Sequence, residues 1–257
     1  MAERAHYPDG APCWPELTTN DLAGATRFYQ RVFDWSCEDL GRHLWHYTLC
    51  RIGEAPVAAL TPPAVGMEGV APAWTTYLAT SDIEASVVRV EANGGKLVVL
   101  PTALPGYARF ALAADPDGAP FGLWQAAGHA GAALVGEPGA MCWAEVHSRN
   151  PMAADGFYEA LFGYEREQQG DGVDFDYVLM KIRGTAVCGR LRMPYEAAGE
   201  VPHWLVHFTV ADCEETTARV VRAGGEVLIS PFEMRETLVA YAADPSGARF
   251  AVCQGGG

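Results

Sequence analysis

The tetrapeptide Trp14-Pro15-Glu16-Leu17 recurs as Trp143-Ala144-Glu145-Val146, 129 residues further along a chain of 257 residues. Other blocks recur in the same order at an offset of 129 or 130: Phe28-Tyr29 as Phe157-Tyr158, Trp74 as Trp204, Gly94-Gly95 as Gly224-Gly225, and Asp115-Pro116 as Asp244-Pro245. Self-similarity at a fixed period is typical of a repeated structural unit. The sequence therefore predicts a tandem repeat, and its length suits two domains of ordinary size.

The composition supports two folded domains. Hydrophobic residues make up 49% of the chain and charged residues only 19%, which provides ample material for a buried core. A segment rich in glycine, alanine and proline joins the two halves. We predict a first domain at residues 1–128, a linker at residues 129–140 and a second domain at residues 141–257.

Each half contains one smaller pattern twice. An extended segment that starts with an aromatic or apolar residue ends at Asp21, Asp82, Asn150 or Asp212. These residues are favourable helix N-caps, and apolar residues follow each one at helical spacing. Alternating runs such as 45–49 and 175–179 then predict strands. The pattern predicts an α+β fold built from four βαβββ modules.

Charge and cysteine usage exclude several classes of function. The formal net charge of −14 repels a phosphate backbone, so we expect neither nucleic acid nor an anionic membrane surface as a partner. The seven cysteines form no CxxC pair, and no apolar run approaches the length of a membrane span. The N-terminus also lacks the apolar core of a signal peptide. We expect a cytoplasmic protein with reduced thiols.

These motifs resemble those of the vicinal oxygen chelate superfamily, which includes glyoxalases, bleomycin-resistance proteins and extradiol dioxygenases. The resemblance is closest to the two-repeat bacterial members that are described as glyoxalase-like proteins or hydroxylases. It rests on motifs that span nearly the whole chain: WxxLxTxD at 14–21, FYxxxFxW at 28–35, WxxYxxxxD at 74–82, FYxxLFGY at 157–164, and the DPxG turns that start at 115 and 244. It implies two cups, each a curved sheet made from paired modules, with ligands bound inside.

Metal-using members carry a His or Gln on the first strand of a module and a Glu on its last strand. The corresponding first-strand positions in this chain are Trp14, Thr75, Trp143 and Leu205, and the last-strand positions include Gly122 and Ala251. Divalent ions require about three or four nitrogen, oxygen or sulfur ligands. We therefore expect no metal ion and no cofactor.

Strand alternation predicts which side chains face the cups, because every second residue shares a face. We expect four catalytic candidates there: Glu16, Glu145, Tyr77 and His207. We expect eight ligand-binding candidates: Trp14, Thr18, Trp74, Thr75, Trp143, His147, Trp204 and Thr209. The alternative for the tryptophans is that they only fill the core. If modules of different repeats pair, as in dimers of single-repeat relatives, Glu16 faces His207 and Glu145 faces Tyr77.

Three hypotheses for function follow. The first is a metal-independent protein that binds a small hydrophobic or aromatic metabolite of the polyketide or antibiotic type. Such a protein either sequesters this ligand or helps its conversion. The second is a metal-dependent lyase or dioxygenase with relocated ligands, either Glu145 and His147 with Tyr77, or Glu16 with His207. The third is a structural or regulatory protein whose cups are closed by tryptophans. Because two repeats replace two chains, we expect a monomer.

Overall fold

The computed structural model describes residues 6–64, 69–194, 200–234 and 237–255. The first repeat consists of β1 (Pro12–Thr18), α1 (Leu22–Phe33), β2 (Ser36–Asp39), β3 (Thr48–Ile52), β4 (Ala55–Thr61), β5 (Ala73–Ala79), α2 (Ile83–Ala92), β6 (Lys96–Leu104), β7 (Ala108–Ala114) and β8 (Pro120–Ala126). The second repeat consists of β9 (Met141–Ser148), α3 (Pro151–Phe162), β10 (Glu165–Gln169), β11 (Tyr177–Ile182), β12 (Thr185–Arg192), β13 (His203–Thr209), α4 (Cys213–Arg222), β14 (Glu226–Met234), β15 (Thr237–Ala243) and β16 (Arg249–Gln254). The predicted α+β fold of four βαβββ modules is confirmed.

The strands form two sheets of eight, one from each repeat. In the first sheet the order is β2-β3-β4-β1-β5-β8-β7-β6, and the second sheet has the corresponding order β10-β11-β12-β9-β13-β16-β15-β14. The two modules of one repeat meet where β1 pairs antiparallel with β5, and where β9 pairs with β13. The expectation that modules of different repeats share a cup is therefore wrong, because the ladder joins the modules within each repeat.

The predicted helix signals act as expected. Asp21 and Asp82 cap α1 and α2 by accepting hydrogen bonds from the backbone amides of Gly24 and Ala85. Asn150 and Asp212 do the same for α3 and α4. The strand predicted at 45–49 starts only at Thr48, and the one predicted at 175–179 starts only at Tyr177. The reason in the first repeat is a turn with left-handed residues at Trp45 and His46, which a strand cannot contain.

Each sheet has a helix face and a cup face. We call the face that carries Glu16 and Tyr77 cup 1, and the face that carries Glu145 and His207 cup 2. Trp74 and Trp204 occupy the helix faces: Trp74 packs in a core with α1, and Trp204 packs in a core with α3. They are buried away from the cups, so the expectation that they bind a ligand is wrong. Strand alternation accounts for this, because Trp74 lies three residues before Tyr77 and the two side chains therefore point to opposite faces of the sheet.

Two hydrogen-bonded chains cross from one repeat to the other. The indole of Trp74 donates to the hydroxyl of Tyr29 at 2.9 Å, and that hydroxyl donates to Oδ2 of Asp244 at 3.3 Å. In the mirror arrangement, Trp204 donates to Tyr158 at 2.8 Å, and Tyr158 donates to Asp115 at 3.2 Å. All six side chains are buried. We call these two chains the Trp–Tyr–Asp chains.

Removing one tyrosine hydroxyl tests these chains. Tyr29→Phe leaves a buried indole N–H and a buried carboxylate each short of a hydrogen bond, so we expect the free energy of unfolding to fall by about 1–3 kcal/mol. Tyr158→Phe is the matched variant, and we expect a loss of similar size. Urea denaturation of both proteins measures these losses. An unchanged urea midpoint in both variants would show that the chains do not stabilise the fold.

Candidate functional site

The two cups offer corresponding positions with different side chains. Glu16 and Glu145 correspond, and each has a tryptophan two residues before it. Where cup 1 has Tyr77, cup 2 has His207, and where cup 1 has Trp124, cup 2 has Cys253. The backbone frames are alike, so the differences in chemistry come from these substitutions.

In cup 1 the buried carboxylate of Glu16 is held by two phenols. The hydroxyl of Tyr47 donates to Oε2 at 2.8 Å, and the hydroxyl of Tyr77 donates to Oε1 at 2.9 Å. Tyr47 in turn accepts from the indole of Trp14 at 2.8 Å. Burial raises the pKa of Glu16, although the two phenol hydrogen bonds act in the opposite direction. Neither donor carries a charge, so the fold favours the protonated acid.

The linker covers cup 1. The imidazole of His129 packs edge-on against Trp14 with ring centroids 4.5 Å apart. The backbone carbonyl of His129 accepts a hydrogen bond from the indole of Trp124. The amide of Ala132 donates to the carbonyl of Cys13 at 2.7 Å. At Gly131 a Cβ atom would lie 2.4 Å from that same carbonyl, so this close approach requires glycine. Burial lowers the pKa of His129 to about 4, which leaves a neutral ring on the tryptophan.

In cup 2 imidazoles join the phenols around Glu145. Oε2 accepts from Tyr177 at 2.8 Å, and Oε1 lies 2.8 Å from Nε2 of His147. Oε1 also accepts from Tyr241 at 3.3 Å and lies 3.5 Å from Nε2 of His207. Burial acts to raise the pKa of Glu145, but the charge of His207 and the hydrogen bond from His147 outweigh it and hold the pKa well below its usual value. The carboxylate of cup 2 is therefore ionised.

His207 has an incomplete set of partners. Its Nδ1 lies 3.3 Å from Sγ of Cys253. Its Nε2 faces Glu145 at 3.5 Å but has no hydrogen-bond partner in aligned geometry among the described residues, although the ring is buried. Buried polar atoms are normally satisfied, and an exception at a cavity indicates a group that a ligand or water completes.

Cup 2 contains a cavity of about 650 Å³. Its lining is mainly apolar and aromatic with a few polar groups, which is the composition typical of small-molecule sites. The lining residues are Gly136, Cys142, Trp143, Phe175, Tyr177, Leu179, His207, Thr209, Glu233, Met234, Thr237, Val239, Cys253 and Gly255. The linker that covers cup 1 thus reaches only the edge of this cavity, through Gly136.

The predicted site residues are divided between the cups. Glu16 and Tyr77 meet in cup 1, and Glu145 and His207 meet in cup 2, which is the opposite of the pairing expected from module exchange. The other candidates that lie on a cup face are Trp14, Thr18 and Thr75 in cup 1 and Trp143, His147 and Thr209 in cup 2. Only the last group includes residues that line the cavity.

Sequence reasoning missed several cup residues: Tyr47, Tyr177, Tyr241, Cys142 and Cys253. A signal for the first pair was present, because Tyr47 and Tyr177 recur at an offset of 130 residues, Tyr47 just before β3 and Tyr177 at the start of β11. Tyr241 and the thiols had no such signal, since their role depends on which neighbouring strands approach them.

The residues present do not fit the metal site of the superfamily. At the last-strand position Gly122, a Cβ atom would lie 2.1 Å from the ring of Tyr77, so no carboxylate side chain fits there. Both relocated ligand sets are wrong as well, because Tyr77 lies in a different cup from Glu145 and His147, and Glu16 lies in a different cup from His207. Within the described ranges, no group of three or more His, Cys, Asp or Glu residues is arranged to hold a metal ion.

Two sequence profiles match the two halves. The profile of the Glyoxalase/Bleomycin resistance protein/Dioxygenase superfamily matches residues 13–123, and that of the glyoxalase-like domain matches residues 143–253. A Mycobacterium tuberculosis protein named "Putative glyoxylase CFP32" is 34% identical over 256 residues, which cover 98% of this chain and 97% of that protein. The anthracycline biosynthesis protein DauV of Streptomyces sp. (strain C5) is 34% identical over 263 residues, covering 96% of this chain and 94% of that protein.

Solved structures share the fold at lower identity. The Mn(II)-bound glyoxalase from Novosphingobium aromaticivorans superposes with a TM-score of 0.67 at 18% identity and covers 97% of this chain and 84% of that chain. A trihydroxybiphenyl dioxygenase from Sphingomonas wittichii strain RW1 gives a TM-score of 0.66 at 15% identity, covering 96% and 91% of the two chains. The two-repeat architecture is therefore common to proteins with different names and chemistries.

The matched carboxylates predict opposite effects of substitution. The folded-state pKa of Glu145 is lowered, so its charge stabilises the fold above its unfolded pKa near 4.5, and that contribution is lost as the pH falls through the lowered value. We expect Glu145→Gln to lose about 1–3 kcal/mol of unfolding free energy at pH ~7, and to lose less at pH ~4.

Glu16→Gln is the control. The pKa of Glu16 is raised, so ionisation opposes folding once the pH exceeds the unfolded value, and we expect Glu16→Gln to be neutral or stabilising at pH ~7. Urea denaturation at several pH values measures both variants. A loss in Glu16→Gln as large as that in Glu145→Gln would contradict the different ionisation of the two cups.

Proposed function

Because the chain belongs to the glyoxalase/bleomycin resistance protein/dioxygenase superfamily, we propose that its cup 2 binds a small hydrophobic or aromatic metabolite and assists its conversion without a metal ion. The observation that carries this proposal is the cavity of about 650 Å³ that is lined by the imidazole of His207, whose Nε2 lies 3.5 Å from the buried carboxylate of Glu145 behind it. Small-molecule cavities commonly measure about 300–1,000 Å³, so this one suits a ligand of several fused rings.

The ligand class follows from the lining. Trp143, Phe175 and Tyr177 supply flat aromatic surfaces, on which a planar ligand stacks favourably. The protein DauV, similar over nearly the whole chain, is named for anthracycline biosynthesis, and this similarity supports a polycyclic, polyketide-type or antibiotic-like ligand. Because the net charge is −14, a neutral or cationic ligand enters more readily than an anion.

The proposal gives Glu145 and His207 the chemical roles. His207 has an unsatisfied Nε2 that exchanges a proton with a phenol or carbonyl oxygen of the ligand. Glu145 stabilises the imidazolium form of His207, and a positioned acid–base group of this kind contributes about 10²–10⁴ in rate. Trp143 and Thr209 contact the ligand, while His147 orients Glu145 through its 2.8 Å hydrogen bond.

Cup 1 has a structural role in this proposal. Glu16, Tyr77 and Trp14 are buried beneath the linker and hold one another by hydrogen bonds, so they shape the first sheet and do not touch a ligand. Thr18 and Thr75 lie half-buried on the same face. We propose one ligand site in a monomeric protein of two domains, at residues 1–128 and 141–257. Each repeat completes its own sheet, which supports this organisation.

The described thiols suit a reducing compartment. All seven cysteines are free, and we propose the cytoplasm as the location. Among the described residues, the helices are too short and too polar to cross a bilayer.

Binding of alizarin, a planar hydroxylated anthraquinone, tests the ligand class. We expect wild-type protein to bind one equivalent by calorimetry, and Trp143→Ala and His207→Phe to weaken that binding at least about tenfold, because each removes a wall or a polar anchor of the cavity. Glu16→Gln in cup 1 is the control and keeps wild-type affinity. Equal weakening by Glu16→Gln, or no binding by wild-type protein, would refute the assignment to cup 2.

Chelation tests the absence of a metal requirement. With Trp143, Leu205, Gly122 and Ala251 at the superfamily's ligand positions, we expect dialysis against EDTA to leave alizarin affinity unchanged. Elemental analysis of the protein before dialysis provides the second measurement. Iron, zinc, nickel or manganese retained at one equivalent, with affinity lost on its removal, would favour a metal-dependent lyase or dioxygenase.

A further inference from the structure

Two thiols line the cavity of cup 2 and have no part in the acid–base scheme. Cys142 lies on β9 and Cys253 on β16, on either side of the strand that carries His207. Cys142 is half-buried, and Cys253 is 8% exposed. Both belong to the cavity lining, so a bound ligand meets sulfur as well as imidazole.

The thiols extend a continuous chain of polar contacts. Cys253 Sγ lies 3.3 Å from Nδ1 of His207, whose Nε2 lies 3.5 Å from Oε1 of Glu145. Cys142 lines the same cavity, and its Sγ donates to the carbonyl oxygen of His207 at 3.5 Å. A thiol next to an imidazole that a carboxylate orients is the arrangement of an activated nucleophile.

Electrostatics in the cup favour a thiolate at this pair. The hydrogen bond from Cys253 lowers the pKa of Cys142 to about 6, against the effect of burial, and Thr209 and the charge of His207 act in the same direction. The same hydrogen bond is the largest cause of the raised pKa of Cys253. The pair therefore gives up one proton readily and holds the second, and the thiolate is the reactive form of cysteine.

Cup 1 provides an internal comparison. Cys13 is the counterpart of Cys142, and its thiol likewise donates to a strand carbonyl, that of Tyr77, at 3.4 Å. Yet Tyr77 replaces the imidazole, Trp124 replaces the second thiol, and burial raises the pKa of Cys13 well above its usual value. The reactive combination of two thiols and an imidazole is thus found in the cup that has the cavity.

We propose that Cys142, supported by Cys253 and His207, adds covalently to electrophilic conjugated carbonyl ligands, quinones above all, in cup 2. The proposal rests on the proposed function, since the ligand must first enter that cavity. Sγ forms a bond to the ring carbon conjugated with the carbonyl, the carbon–carbon π bond opens, and the electron pair moves to the carbonyl oxygen. That oxygen takes a proton from the imidazolium of His207, so the thiolate and the imidazolium together supply the sulfur and the proton of one thiol. The ring proton on the carbon that bonds sulfur then shifts to the second carbonyl oxygen to give the hydroquinone thioether.

Juglone, a hydroxylated naphthoquinone with free conjugated ring positions, is the probe. We expect one equivalent to add to the intact protein with the full mass of the probe, since no atom leaves, and peptide mapping to place it on Cys142. Cys142→Ser abolishes this adduct, and His207→Phe slows its formation at least about tenfold through loss of the group that protonates the carbonyl oxygen. Cys13→Ser is the matched control and retains the wild-type rate. An adduct located on other cysteines, or a rate unchanged by Cys142→Ser, would overturn the proposal.

Alizarin separates this inference from the proposed function, because its fused rings leave no free conjugated position for a thiol. Alizarin binding to both wild-type protein and Cys142→Ser, without any juglone adduct, would overturn the thiol proposal and leave the ligand site standing. A juglone adduct on Cys142 without alizarin binding would support covalent addition by Cys142 and refute the polycyclic ligand class. Melting temperatures of every variant verify that each one is folded.

Discussion

The fold depends on the reciprocal Trp–Tyr–Asp chains between the repeats. Asp115 and Asp244 each have two functions, because one oxygen accepts amide hydrogen bonds within its own turn and the other accepts the tyrosine of the opposite repeat. A buried carboxylate is costly unless it is hydrogen-bonded, so the turn and the interface must form together. Each repeat thereby fixes the other, and the positions of both cups follow from this arrangement.

From that common frame the cups diverge through a few side chains. Around Glu16 the donors are neutral phenols, and burial dominates, which raises the pKa of the acid. Around Glu145 two imidazoles are added, and their charge keeps the acid ionised at equal burial. The exchange of Tyr77 for His207, together with the presence of His147, therefore shifts the pKa of two carboxylates in matching positions in opposite directions. The exchange of Trp124 for Cys253 replaces a large ring with a small thiol on the cavity side.

Much of the fold could be predicted because repeats, helix caps and strand alternation are local signals. Glu16, Glu145 and His207 were identified by alternation alone. Their partners were not, because pairing depends on which modules share a ladder, and the sequence carries no local record of that choice. Trp74 and Trp204 were predicted to face a ligand, although each lies three residues before a cup residue on its strand and therefore points to the helix face. The sequence also did not predict that the linker covers cup 1. The linker has no hydrophobic periodicity, and its contact with the sheet depends on the close approach of Gly131 to the carbonyl of Cys13.

The covering of one cup by the linker also has a consequence for binding thermodynamics. A tandem repeat with pseudo-twofold symmetry would ordinarily offer two related sites, whose occupancies are linked through the shared interface. Here His129 and Ala132 occupy the first cup as an intramolecular ligand at fixed effective concentration. Homotropic cooperativity requires two vacant sites, so for the single ligand site that we propose in cup 2 we expect a hyperbolic saturation curve in spite of the symmetric backbone.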